Sequence, residues 1–369
     1  MTTLNELFDT YGQSPWIDNI RRDWLNDGTL AALVEKGVRG VTSNPAIFAK
    51  AFATSSAYDE ILAQSTDSDP EVVFEKLAVL DVADACSVLM PLHQQAQSEF
   101  AAGVRRYSDG FVSLEVSPRL AHDTAGTIAA AKKLWSEVNQ PNVMIKIPAT
   151  VEGLPAITEV LGAGINVNVT LIFSLERYAQ VLDAWVAGVQ LAHTNGHNIS
   201  GLASVASFFV SRVDAAVDAL LPEESVLRGK IANAQVAAAY ELYLDRVARA
   251  DVVTLLSAGA QVQRPLWAST STKNPSYYDL LYVDSIVGDE TVNTMPDPTL
   301  EGTLDHGVFS SSLLATTEST KTAAALLNEL PAEISLIAVT DKLERDGVQS
   351  FIDSYADLLA TVASKIQGN

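Results

Sequence analysis

The sequence is poor in cysteine, with Cys86 alone among 369 residues. One thiol excludes an intramolecular disulfide and a cysteine-built metal cluster, and it fits a reducing, cytoplasmic setting. Histidine is scarce too. His193 and His197 stand four apart, but Gly196 and the neighbouring asparagines read as a loop, and His93, His122 and His306 are scattered. No His-Glu-x-x-His motif occurs, so no metal site is expected. Basic residues are outnumbered 24 to 45, for a formal net charge of −21. Such a surface argues against nucleic acid and anionic membranes as partners, while a local basic pocket stays compatible with an anionic small substrate. No eighteen-residue apolar run is present, and Met1-Thr2-Thr3-Leu4-Asn5-Glu6 lacks the basic and apolar regions of a secretory leader, so neither a membrane span nor export is expected. A Gly-x-Gly-x-x-Gly after the first strand and a Gly-x-Ser-x-Gly elbow are also missing, which disfavours a dinucleotide fold and a serine hydrolase.

What is present is a rhythm of short apolar strands and helices. Eight candidate strands lie near residues 16, 40, 112, 145, 168, 206, 267 and 292. Residues 4–13 read as a lead-in. Helical spacing covers Thr29–Glu35, Ser56–Thr66, Pro70–Phe100, Asp123–Val138, Leu154–Leu161, Leu175–Gln190, Arg212–Leu220, Gly229–Leu256, Ser310–Leu327 and Val348–Ile366. Strands alternating with helices indicate βαβ units and a parallel sheet. Eight such units favour one closed (β/α)₈ barrel, an α/β TIM barrel, over an open doubly wound sheet. One domain over 1–369 is expected, with a helical insert at about 50–106 and a C-terminal helix at about 348–366.

The stretch that organises the chain is Met144-Ile145-Lys146-Ile147-Pro148. A lysine in an apolar strand is seldom buried unless paired or used. Burial disfavours the ammonium form and favours a free amine able to attack a carbonyl. Strand context alone leaves open an edge-strand lysine facing water. In Asn166-Val167-Asn168-Val169-Thr170 the even positions are polar and the odd ones apolar. In a barrel the valines would meet the helices, and Asn168 and Thr170 would point inward; a half-solvated strand is the plain alternative. Glu115 lies in another apolar strand, where a carboxylate needs a proton, a partner or hydrogen bonds. Asp18 ends the first strand, where a turn or cap role is the simpler reading. Arg212 and Lys273 follow later strands, where barrels bind phosphate; two surface cations would look the same.

Taken together, Thr42-Ser43-Asn44-Pro45, Leu114-Glu115-Val116-Ser117, Ile145-Lys146-Ile147-Pro148-Ala149-Thr150 and Asn166–Ser174 resemble the transaldolase family over nearly the whole chain. The length and Thr291-Val292-Asn293-Thr294-Met295-Pro296 resemble its longer bacterial branch. The resemblance implies a class I aldolase-like barrel with circularly permuted strand order and additional helices. It implies transfer of a dihydroxyacetone unit from sedoheptulose 7-phosphate to glyceraldehyde 3-phosphate through a lysine Schiff base, without metal or organic cofactor. It makes Lys146 the nucleophile and Asp18 the acid–base group, with Glu115 and Thr170 holding a water. Asn44 and Asn168 would bond the three-carbon unit. Ser207, Phe209, Arg212, Ser271 and Lys273 would bind substrate, with Arg212 and Lys273 at phosphate. The sequence departs from many relatives at Phe208 and Ser211, and has Lys273 where arginine is common. Sugar phosphates are the expected partners, and the chain is expected to be a monomer or homodimer. Rival readings are a fructose 6-phosphate aldolase and a noncatalytic sugar-phosphate-binding barrel; in the aldolase group the positions of Glu115 and Phe209 resemble glutamine and tyrosine.

Overall fold

A computed structural model describes residues 3–63, 67–309 and 317–367. Seven strands, β1 Ser14–Ile17, β2 Val112–Glu115, β3 Val143–Pro148, β4 Val167–Ile172, β5 Ser204–Phe209, β6 Gln263–Ala268 and β7 Val292–Met295, form one parallel sheet. Their order is β1-β7-β6-β5-β4-β3-β2. The expected eighth strand near residue 40 is reduced to one bridging residue. Val41 pairs with Ile17 on one side and Val112 on the other. Its N–H donates to Phe111 O at 2.9 Å, its carbonyl accepts from Ser113 N at 2.9 Å, and Thr42 N donates to Ile17 O at 2.9 Å. The sheet thus curls until its two outer strands meet through Val41, giving a TIM-barrel-like α/β fold with helices outside.

Side-chain alternation separates two apolar layers. Val112, Leu114, Val143, Ile145, Ile147, Val167, Val169, Ala206, Phe208, Trp267 and Met295 face the helices and join the outer core. Trp16, Met144, Val205, Leu266 and Val292 fill the barrel's interior. At its amino-terminal end the interior holds buried charge. Asp109 Oδ2 lies 3.0 Å from Arg39 Nε and 3.6 Å from Arg264 Nη1, and Asp109 Oδ1 accepts from Trp16 Nε1 at 3.0 Å. Arg264 also donates to Ser14 Oγ at 2.6 Å and stacks on Tyr107, 3.8 Å from the ring centre. The two guanidinium groups, with help from Ser14, hold the Asp109 carboxyl below its ordinary range although burial opposes them.

Several helices differ from the sequence reading. The lead-in is a helix, Thr3–Tyr11, and the helical insert begins early, at Pro45–Thr54, where Asn44 Oδ1 accepts from Ile47 N at 3.0 Å and Pro45 takes the first turn. A further short helix, Arg22–Asp27, precedes it. Gly229–Leu256 is two helices, Ile231–Val247 and Ala250–Ser257, because Arg249 is extended (φ −67°, ψ 143°). Of the expected helix Ser310–Leu327, residues 310–316 lie outside the described residues, as do 64–66 of Ser56–Thr66; Thr317–Asn328 is helical. The C-terminal helix starts twelve residues early and runs Leu336–Gln367. None of the helices among the described residues is long and apolar enough to cross a membrane.

Candidate active site

At the carboxy-terminal ends of the strands lies a cavity of about 210 Å³. This is the face where barrel enzymes collect their functional groups. Asp18, Asn44, Lys146, Thr170, Ser207, Phe209, Arg212, Ser271 and Lys273 all line it. Glu115 and Asn168, the other two expected site residues, stand just behind the wall.

Parallel register brings the central groups side by side. Glu115 pairs with Lys146 across β2 and β3, and Lys146 with Asn168 across β3 and β4. Neighbouring strands lie about 4.8 Å apart, so the three side chains enter the barrel as one row. Lys146 is only 4% exposed, which removes the reading of a solvent-facing edge lysine. Its Nζ donates to Ser43 O at 3.1 Å and lies 3.4 Å from Glu115 Oε2. Burial pushes the Glu115 carboxyl up to about 7; Lys146 opposes the shift and the Asp18 charge adds to it. Glu115 Oε2 and Thr170 Oγ1 are both buried without a hydrogen-bond partner among the described residues. A polar molecule held between the wall and the cavity would satisfy them.

Asp18 is not a helix cap. It follows β1 and accepts a hydrogen bond from Thr42 Oγ1 at 2.7 Å. Thr42 Oγ1 is also 2.6 Å from Thr294 Oγ1. A hydroxyl has one proton to give. With Thr42 donating to Asp18, Thr294 must donate to Thr42, so a chain of two hydroxyls leads to the carboxylate. Burial raises the Asp18 carboxyl above its ordinary value, against the pull of Lys146 and the Thr42 hydrogen bond. Neither Thr42 nor Thr294 was singled out in the sequence, although both stand in the resembling segments.

Asn168 is fully buried and does not reach the cavity lining. Its amide donates to Ser113 Oγ at 2.9 Å and its oxygen accepts from Ser207 Oγ at 2.7 Å. It therefore fixes Ser207, which does line the cavity. Asn44 spends its oxygen on the Ile47 cap and keeps its amide NH₂ as the group it can offer. A bulge lies between Val169 and Ile172, with Leu171 at φ 60°. It turns Leu171 and Phe173 into the interior cluster that also holds Phe209, one of the cavity's lining residues.

The rim carries the positive charge. Arg212, in the first turn of helix Ser211–Asp218, sits over the Phe209 ring at 5.4 Å. Lys273 donates to Ser271 Oγ at 2.8 Å. Desolvation lowers both cations, and for Lys273 repulsion from Arg212 adds to it; the Asp18 charge opposes in each case. Two cations that repel each other beside several hydroxyls make a place for a multiply charged anion. One lining residue comes from an unexpected element: Phe351 of the C-terminal helix.

The Transaldolase/Fructose-6-phosphate aldolase family matches residues 15–362. A transaldolase of Arthrobacter sp. (strain FB24) is 46% identical, covering 98% of this chain and 97% of its own. A transaldolase of Acidothermus cellulolyticus is 47% identical over 96% and 95% of the two chains, and one of Thiobacillus denitrificans 44% over 95% and 97%.

Proposed function

This chain belongs to the transaldolase/fructose-6-phosphate aldolase family, and we propose that it works as a transaldolase in which Lys146 forms a Schiff base with a ketose phosphate. The observation that carries the proposal is the Lys146 amine. It is shut inside the barrel, 3.4 Å from the Glu115 carboxyl, in the cavity that Asp18 lines.

In this reading the amine adds to the C2 carbonyl of a sugar phosphate such as sedoheptulose 7-phosphate or fructose 6-phosphate. Glu115 and Thr170 hold the water that carries protons as the carbinolamine loses its hydroxyl. The resulting iminium is an electron sink. Asp18 takes the proton of the C4 hydroxyl, the C3–C4 bond breaks, and its electron pair moves into the enamine. An aldehyde leaves while three carbons stay on Lys146. A second aldehyde, such as glyceraldehyde 3-phosphate, then accepts those carbons by the reverse steps, which gives ping-pong kinetics. Arg212 and Lys273 anchor the phosphate, and Ser207 and the Asn44 amide hold the hydroxyls of the three-carbon unit.

Borohydride reduction in the presence of fructose 6-phosphate is the direct test. A mass adduct on the Lys146 peptide, lost in Lys146→Ala, is the expected result. An unmodified peptide in the wild-type protein would remove the proposal. Glu115 and Phe209 support transfer over simple release. A stoichiometric yield of free dihydroxyacetone without an acceptor aldehyde would favour the aldolase instead.

A further inference from the structure

The C-terminal helix Leu336–Gln367 lies across the mouth of the barrel. Its buried residues Thr340, Gly347, Val348, Phe351, Tyr355, Leu358 and Val362 form one stripe, but the stripe serves two layers. Tyr355, Leu358 and Val362 join the outer core, whereas Val348 and Phe351 join the barrel's interior. At the crossing the helix comes so close that a Cβ on Gly347 would stand 3.1 Å from Leu171 Cδ2. The helix is fastened on either side of that crossing. Arg177 Nε donates to Glu344 at 3.1 Å, and Tyr355 Oη donates to Glu71 Oε1 at 3.0 Å. Between these two clasps the Phe351 ring is presented to the cavity, its centre 5.6 Å from Lys146 Nζ.

We propose that Phe351 belongs to the reacting centre: its ring stabilises the cationic Lys146 imine and keeps water from it. The inference rests on the Schiff-base reading above. An ammonium has three N–H groups; here one donates to Ser43 O, and the Glu115 carboxyl lies 3.4 Å away as an ion-pair partner. An iminium keeps one, so its charge must be met largely without hydrogen bonds. An aromatic face within about 6 Å provides that. The same ring covers a carbon that water would otherwise attack. Release by water requires a proton on C3 of the enamine, which restores the iminium. Water oxygen then adds to C2, both of its protons pass in turn to nitrogen, and the C2–N bond breaks to give dihydroxyacetone and the Lys146 ammonium. The addition needs a water at C2, on the side of Lys146 that the ring covers.

The test compares wild type with Phe351→Leu, which keeps apolar bulk without a π face, and Phe351→Ala, which also opens space. Val348, Tyr355, Leu358 and Val362 still seat the helix, and thermal unfolding checks that the variants are folded. Two quantities are read with fructose 6-phosphate: the fraction trapped on Lys146 at limiting borohydride, and the ratio of free dihydroxyacetone to product transferred onto glyceraldehyde 3-phosphate. Phe351→Leu is expected to lower trapping by about threefold or more, the size of a cation–π contact. Phe351→Ala is expected to raise the release-to-transfer ratio by about tenfold as well. If at least one folded variant keeps both wild-type values, the ring is only packing and the proposal fails. Absence of an adduct in the wild type would instead remove the Schiff-base reading itself, and this inference with it.

Discussion

Lys146 and Glu115 face each other across adjacent strands, with Nζ and Oε2 3.4 Å apart and both side chains almost wholly withdrawn from solvent. The pair is set by parallel register, in which Glu115 lies opposite Lys146. Its proton balance shifts within the neutral range, because burial carries the Glu115 carboxyl up to about 7.

A pH profile follows from that pair. If Glu115 must be ionised to move protons through the held water, kcat/KM rises with pH through about 7 and the ascending limb reports this carboxyl. Glu115→Gln should lower the rate by about 10²-fold or more and remove that limb. An unchanged limb in the variant would assign it to another group.

Asp18 is expected to act later than Lys146. Asp18→Asn should slow carbon–carbon cleavage by about 10²–10⁴-fold while the Lys146 adduct still forms under borohydride. Thr42→Val removes the hydroxyl that donates at 2.7 Å and lowers the Asp18 carboxyl. Its acid limb should move to higher pH. Adduct formation that falls in parallel with cleavage in Asp18→Asn would argue that Asp18 serves imine formation instead.

The rim cations separate phosphate binding from chemistry. Arg212→Ala should raise KM for phosphorylated donors by about 10–100-fold and leave unphosphorylated dihydroxyacetone donors little changed. Lys273 offers a point charge where a guanidinium would offer a fork. Lys273→Arg is therefore expected to lower KM for sugar phosphates, and Lys273→Ala to raise it. Equal losses on phosphorylated and unphosphorylated donors would place these cations elsewhere in the mechanism.

At the opposite end of the barrel, Asp109 neutralises Arg264 and Arg39. Asp109→Ala leaves buried guanidinium charge unpaired, and a loss of about 3–5 kcal/mol is expected in denaturant unfolding. Activity per folded molecule should persist, because none of these groups lines the candidate active-site cavity. A stability change under about 1 kcal/mol would mean that water reaches the cluster.

Much of this was legible in the sequence because strands advertise their faces. The valines of Asn166–Thr170 went to the helices and its polar residues went inward, as strict alternation required. Lys146 stood out because an ammonium in Met144–Pro148 breaks an apolar pattern. Other features carried no local signal. The break before Ala250 has neither glycine nor proline; it is one extended residue, Arg249, paired with Asp251 at 2.9 Å. Gly347, one residue before the expected start of the C-terminal helix, sits inside it and lets the helix pass close to Leu171. Phe351 has no local signal that sets it apart from its helix, and only the tertiary crossing brings it near Lys146. Asn168 faces inward as expected, but Ser207, whose hydroxyl donates to it, stands between it and the cavity, since register says which way a side chain points and not what stands in front of it.

The joint at Val41 makes the loop of residues 42–44 a reporter of the ring's integrity. Thr42, Ser43 and Asn44 hang from a splice only one residue wide, whereas the β3–β4, β4–β5 and β5–β6 seams are stitched over four residue pairs or more. Were that splice to part, Ile17 and Val112 would each lose their neighbour, and Asp18 and Lys146 would lose contacts at the same instant. Amide protons of Val41, Thr42 and Ser113 should therefore exchange with deuterium as one unit, and sooner than those of β4 and β5.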